Sequence, residues 1–133
     1  MILGVGVDLI EVARIQRALE NPRIGQRVCQ RVFTDAEVEY CEKRKRKYES
    51  YAGRFAAKEA VMKALGRGWG RKVGWLDIEV VLAVSGEPGI SLYDKASSFS
   101  RELGIEHFSL SITHTASYAI AYLIAEGRGA EKV

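Results

Sequence analysis

Arg54-Phe55-Ala56-Ala57-Lys58-Glu59-Ala60-Val61-Met62-Lys63-Ala64-Leu65-Gly66 is the stretch on which the fold turns. Read as a helix at about 100° per residue, it sets Glu59 and Lys63 only about 40° apart around the axis, with Ala57, Ala60, Val61 and Ala64 on an opposite apolar arc. One side is built to be buried and one to carry chemistry. A hard divalent cation takes oxygen ligands and keeps few protein ones when a substrate phosphate supplies the rest, so Glu59 calls for a second carboxylate from elsewhere. Asp8 is the candidate.

Upstream, residues 2–8 alternate as a strand, with Leu3, Val5 and Val7 on one side and Gly4, Gly6 and Asp8 on the other. Glycines on a strand mark close approach by another backbone or by a ligand, and at this level both readings stay open. A helix is expected from about Glu11 to Glu20, with Val12, Ile15 and Leu19 inward, ended by Asn21-Pro22. Thr34-Asp35-Ala36-Glu37 has the form of a capping box opening a helix expected to run through Lys47. The next helix is expected from Tyr51 to Leu65, stopping in Gly66-Arg67-Gly68-Trp69-Gly70.

Downstream the period changes. Leu76, Ile78, Val80 and Leu82 alternate, Ser85-Gly86-Glu87-Pro88-Gly89 turns, and Ile90 to Tyr93 returns as a hairpin. A short helix from Asp94 to Leu103 follows. Phe108, Leu110 and Ile112 then alternate with Ser109, Ser111 and Thr113, and His114-Thr115 leads into a last apolar strand from Tyr118 to Ala125. Strands that pair as hairpins predict an α+β fold, a largely antiparallel sheet packed against the long helix. One domain is expected over residues 1–125, with a polar, frayed tail at 126–133.

The 133 residues, 47% hydrophobic and 28% charged, fit a globular protein with a core and exclude a disordered or fibrous chain. Net charge is +3, yet five of the 20 basic residues sit together in Lys43-Arg44-Lys45-Arg46-Lys47, and 17 acidic residues outnumber the remaining fifteen. The excess is local, which suits an acidic or polyphosphate partner, although a solvated helix face leaves the same trace. Cys29 and Cys41 fall in helix-like segments and match no metal spacing, so reduced thiols and a cytoplasmic home are expected. The apolar start reaches Asp8 too soon for a signal peptide, and the run Ala116 to Ala125 is too short to span a bilayer, so no membrane partner is expected.

Taken singly, Asp8 reads as a strand-end cap, Glu59/Lys63 as a surface ion pair worth a few tenths of a kcal/mol, and His114 as structural. Together with the basic run they are compatible with a magnesium and polyphosphate site, Arg46 and Arg54 holding further phosphates. Arg54 could equally pair with a core carboxylate. The rival is a nucleic-acid-binding module in which Tyr40, Tyr48 and Tyr51 stack bases beside the basic run. It leaves Asp8, Glu59 and His114 unexplained.

Gly4-Val5-Gly6-Val7-Asp8-Leu9-Ile10-Glu11, Gly53-Arg54-Phe55-Ala56-Ala57-Lys58-Glu59-Ala60 with Lys63, and Ser111-Ile112-Thr113-His114-Thr115 resemble, in order and over nearly the whole chain, the holo-acyl-carrier-protein synthases. These form the small single-domain branch of the 4′-phosphopantetheinyl transferase superfamily. The resemblance implies transfer of the 4′-phosphopantetheine arm of coenzyme A to a serine of apo acyl carrier protein, for fatty acid biosynthesis, releasing adenosine 3′,5′-bisphosphate. It implies Asp8 and Glu59 as ligands of magnesium, or of manganese in its place, and Lys63 and His114 as residues that contact coenzyme A or aid transfer. It further implies Arg46 and Arg54 as contacts to coenzyme A phosphates, Gly66 as a close approach to the nucleotide, Arg14 as a contact to the acidic carrier, and a homotrimer with sites at subunit boundaries. The general base stays unassigned. The broad-specificity two-lobed transferases are disfavoured by the chain length. Arg67 stands where a small hydroxyl residue is frequent in the family, which bears on nucleotide contacts and not on the metal assignment.

Overall fold

A Cβ placed on Gly6 would come within 1.8 Å of the carbonyl oxygen of Ala60, and one on Gly4 within 2.2 Å of that of Ala64. The glycine side of the first strand is therefore turned onto the backbone of the long helix, which decides between the two readings the sequence left open. The structure, a computed structural model, describes residues 1–66 and 74–128.

The elements run β1 (Ile2–Glu11), α1 (Val12–Glu20), α2 (Gly25–Val32), α3 (Asp35–Glu42), α4 (Lys47–Leu65), a 3₁₀ turn (Trp75–Asp77), β2 (Ile78–Leu82), β3 (Pro88–Leu92), α5 (Asp94–Glu102), β4 (Ile105–His114) and β5 (Tyr118–Gly127). The expected α+β architecture is present: β1, β5 and β4 form an antiparallel sheet in the order β1-β5-β4, β2 and β3 form a hairpin, and α4 packs across β1 and β5. On the inner face of β5, Ala119, Ala121, Leu123 and Ala125 are fully buried and lie in register with Ile10, Asp8, Gly6 and Gly4 of β1. A surface of glycine and alanine meets the alanines of α4, so helix and sheet approach more closely than bulky side chains would permit.

That contact makes α4 more enclosed than a helix with one buried side. Ala57, Ala60 and Val61 are buried as expected, but so are Tyr51, Ala52, Arg54, Ala56, Lys58 and Met62, because α1, α3 and β2 cover what the sheet does not. Lys58 is wholly buried. Its ammonium reaches Glu37 at 2.7 Å and the carbonyls of Val32 and Trp75 at 2.5 and 3.1 Å. Glu37 completes the expected capping box with Thr34, and its other oxygen accepts the backbone N–H of Val80 at 2.8 Å. One ion pair thus fastens α2, α3, α4 and β2 together.

The boundaries differ from expectation at several places, among them β3, which starts at Pro88 within the expected turn, and β4, which starts at Ile105. α3 ends at Glu42, and α4 begins at Lys47, so the basic run forms a turn. Successive like charges three and four apart oppose helix, and Arg44 N–H closes onto the carbonyl of Cys41 at 3.0 Å. β1 continues to Glu11, three residues past Asp8. β5 continues to Gly127, where Glu126 and Gly127 pair with β1 and β4, so the expected tail does not begin at residue 126. Arg67 to Gly70 and residues 129–133 lie outside the described residues. Gly66 caps α4 at φ +82°, a conformation that favours glycine. Among the described residues, no helix is long and apolar enough to cross a membrane.

Candidate active site

The two halves of α4 gather different sets of polar residues. In the C-terminal half, Lys63 extends to β1, donating to the carbonyl of Val7 at 2.9 Å and to Asp8 Oδ1 at 3.1 Å. It pairs with the strand instead of with Glu59 on its own helix. Glu59 lies half-buried beside them. Burial first, then the charge of Asp8, pushes its carboxyl above the ordinary value, while Lys63 and Arg14 pull the other way. The close seating of glycines on α4 is what brings Asp8, Glu59 and Lys63 into one cluster. Arg14, on the exposed side of α1, stands near enough to act on it. Gly66 follows one turn later, exposed, with open space where a side chain would project.

In the N-terminal half, His114 closes β4 with Nδ1 2.9 Å from Glu49 Oε1, and the second oxygen of Glu49 lies 3.9 Å from Arg46 Nε. Thr115 fixes the β4–β5 hairpin behind it, its hydroxyl accepting the N–H groups of Ser117 and Tyr118, both at 3.1 Å. Tyr40, Arg44, Lys45, Arg46, Ser50 and His114 line an open pocket of about 410 Å³. The turn that replaced the expected helix puts three consecutive cations on its rim.

Arg54 is buried with its guanidinium 4.0 Å from the centre of the Tyr40 ring, and its Nε has no hydrogen-bond partner. A buried donor without an acceptor is costly, and an anion in this region would satisfy it. Arg44 lies over the same ring at 4.3 Å, and Tyr51 is buried against Phe33. The bare aromatic platforms that a single-strand nucleic-acid site needs are absent at Tyr40 and Tyr51.

The expected residues therefore form two groups within the chain: Asp8, Glu59 and Lys63, joined by Arg14 and Gly66, and His114 and Arg46 lining the basic pocket, with Arg54 buried against Tyr40 of that lining. Glu49 and Glu59, ten residues apart on α4, mark a separation of about 15 Å. Sequence reasoning missed Glu49, which belongs to no spacing motif and becomes visible only when β4 brings His114 to it. It also missed Lys58, whose place in a quoted motif gave no sign of burial.

Comparison with known proteins gives this geometry its context. A family model described as the 4′-phosphopantetheinyl transferase superfamily matches residues 4–123. The holo-[acyl-carrier-protein] synthase of Solibacter usitatus is 47% identical over 126 residues, 95% of this chain and 99% of that protein. That of Ruminiclostridium cellulolyticum is 47% identical over 121 residues, 90% of this chain and 89% of that protein. Among solved structures, the holo-[acyl-carrier-protein] synthase of Neisseria meningitidis superposes with a TM-score of 0.85 at 32% identity, covering 95% of this chain and 99% of that one. The Helicobacter pylori synthase in complex with coenzyme A superposes at 0.78 and 32% identity, covering 92% and 99%. With the motif segments, the antiparallel sheet and the full-length match in agreement, this chain belongs to the 4′-phosphopantetheinyl transferase superfamily.

Proposed function

We propose that this chain is a holo-acyl-carrier-protein synthase, transferring 4′-phosphopantetheine from coenzyme A to a serine of apo acyl carrier protein in the cytoplasm, in support of fatty acid biosynthesis. The observation that carries the reading is the cluster of Asp8, Glu59 and Lys63, two carboxylates and an ammonium assembled from a strand and a helix beside the exposed Arg14. The serine hydroxyl attacks the phosphorus bearing the pantetheine oxygen, the P–O bond to the second phosphate breaks, and adenosine 3′,5′-bisphosphate leaves. The serine proton passes to a base, for which Glu59, held above the ordinary carboxylate range, is the nearest candidate. Lys63 offsets charge growing on the leaving phosphate.

Asp8 and Glu59 fit a magnesium ion. Each offers hard oxygen donors, and a divalent cation held by the two would offset both the burial of the Glu59 charge and, after it, the repulsion by Asp8 that raise Glu59. When bound, magnesium neutralises the diphosphate oxygens. The cationic pocket with His114 and Arg46, and the unpartnered Nε of Arg54, suit the phosphates of the nucleotide. Gly66 leaves room for its approach. Arg14 receives the acidic carrier next to Glu59.

The working form is a homotrimer with sites shared between subunits. Two observations support this: the two clusters stand about 15 Å apart along α4, and the outer face of the sheet is apolar and uncovered. Val5, Val7 and Leu9 on β1 lie in register with Ile124, Tyr122 and Ile120 on β5, and all but Ile124 are exposed.

Incubation with coenzyme A, magnesium and apo carrier protein tests the whole reading. The carrier is expected to gain the mass of the phosphopantetheine arm, and chelator to abolish the gain. A carrier left unmodified with magnesium present would overturn the proposal.

A further inference from the structure

Glu49 is a carboxylate beside a pocket rimmed by cations, and it is 8% exposed. By charge alone it is out of place there, since it repels any anion the pocket receives. Its position in the first turn of α4 gives it a structural use, because the positive end of the helix favours a carboxylate. That use does not require its two oxygens to be divided as they are. Oε1 meets His114 Nδ1 at 2.9 Å, and Oε2 faces Arg46 Nε at 3.9 Å. An ionised carboxylate can only accept, so Nδ1 carries a proton, and Nε2 is the ring nitrogen left for a ligand, a donor to an anion when it is protonated as well. Among the described residues Nε2 has no partner.

We propose that Glu49 is a positioning residue for the nucleotide phosphate: it fixes the orientation of the His114 ring, whose Nε2 donates in the imidazolium form, and steadies Arg46, so that both present donors to an anion in the pocket. Arg46, whose side chain is 77% exposed, would otherwise lose side-chain entropy on binding, and an exposed imidazole would sample other rotamers. Pre-placing two donors outweighs the repulsion of one buried carboxylate. The inference rests on the coenzyme A reading above and adds to it a residue that touches no substrate.

The sign of the effect separates this role from plain electrostatics. Calorimetric titration with adenosine 3′,5′-bisphosphate, without carrier or metal, is the direct test. Glu49→Ala is expected to weaken binding about tenfold, the cost of a lost charge-assisted hydrogen bond. Glu49→Gln, whose amide oxygen still accepts from Nδ1, is expected to recover part of the loss. With His114 and Arg46 both changed to alanine, Glu49→Gln is expected to change affinity less than twofold, which a general loosening of α4 would not reproduce. In turnover, Glu49→Gln should raise KM for coenzyme A while leaving KM for the carrier unchanged. If the Glu49 variants bind as tightly as the parent or tighter, or if the loss persists without His114 and Arg46, the inference falls alone. If the parent binds neither the bisphosphate nor coenzyme A, the function reading falls and takes the inference with it. Should Glu49→Ala fail to fold, the isosteric Glu49→Gln series decides.

Discussion

Glu59 shows how much of the chemistry sits in single residues. Its carboxyl is held above the ordinary 4.5 by burial first and Asp8 second. A group whose folded pKa is raised contributes stability that is complete below its unfolded value and is lost as pH rises through the folded one. Ionised Glu59 therefore strains the metal-free protein at neutral pH. Glu59→Gln is expected to raise the metal-free melting temperature at pH 7, the difference shrinking toward pH 4. Added magnesium should stabilise the parent and not the variant. Glu59→Gln and Asp8→Asn are each expected to lower kcat by about a hundredfold or more with circular dichroism unchanged, since they remove charge at nearly constant shape. Full activity in either would overturn the metal assignment. Arg14, exposed on α1 beside this cluster, is argued on the same footing: Arg14→Glu should raise KM for the carrier about tenfold and KM for coenzyme A far less. An equal rise in both would count against a carrier contact.

At the scale of elements, α4 is the frame on which both clusters hang, and its seating depends on what it replaces in bulk. Glycines on β1 and alanines on β5 let its backbone lie against the sheet, which carries Asp8 to Lys63. The Lys58–Glu37 pair fixes the opposite side of the helix, at full burial. Burial pulls Lys58 below the ordinary lysine range, opposed by the charge of Glu37. Removing one partner leaves a buried charge uncompensated, so Lys58→Met is expected to cost about 3–5 kcal/mol in urea denaturation, while the double change Glu37→Leu/Lys58→Met should recover much of the loss. A double variant no more stable than the single would show that the pair's hydrogen bonds to Thr34, Val80, Val32 and Trp75 matter more than its charges.

For the whole molecule, the uncovered apolar face of the sheet is the feature that a single chain does not explain. Tyr122→Asp, at the centre of that face and in register with Val7 and Ser111, is expected to reduce the mass measured by light scattering to that of one chain and to abolish transfer. A variant that stays assembled would remove this face from the interface. Local pattern was enough to read the fold class, the helix that decides it, the capping box at Thr34 and the shared face of Glu59 and Lys63, because periodicity and motif spacing encode which side chains share a face, whereas the assignment of Asp8 to the same site rested on the family resemblance. Local pattern did not reveal that the basic run is a turn, that Lys58 is buried, that Lys63 pairs with Asp8, or that Glu49 holds His114. Each of those depends on residues distant in sequence brought within a few ångströms, and only the packing of α4 against β1, β5 and α3, with β4 ending beside its first turn, decides which of them meet.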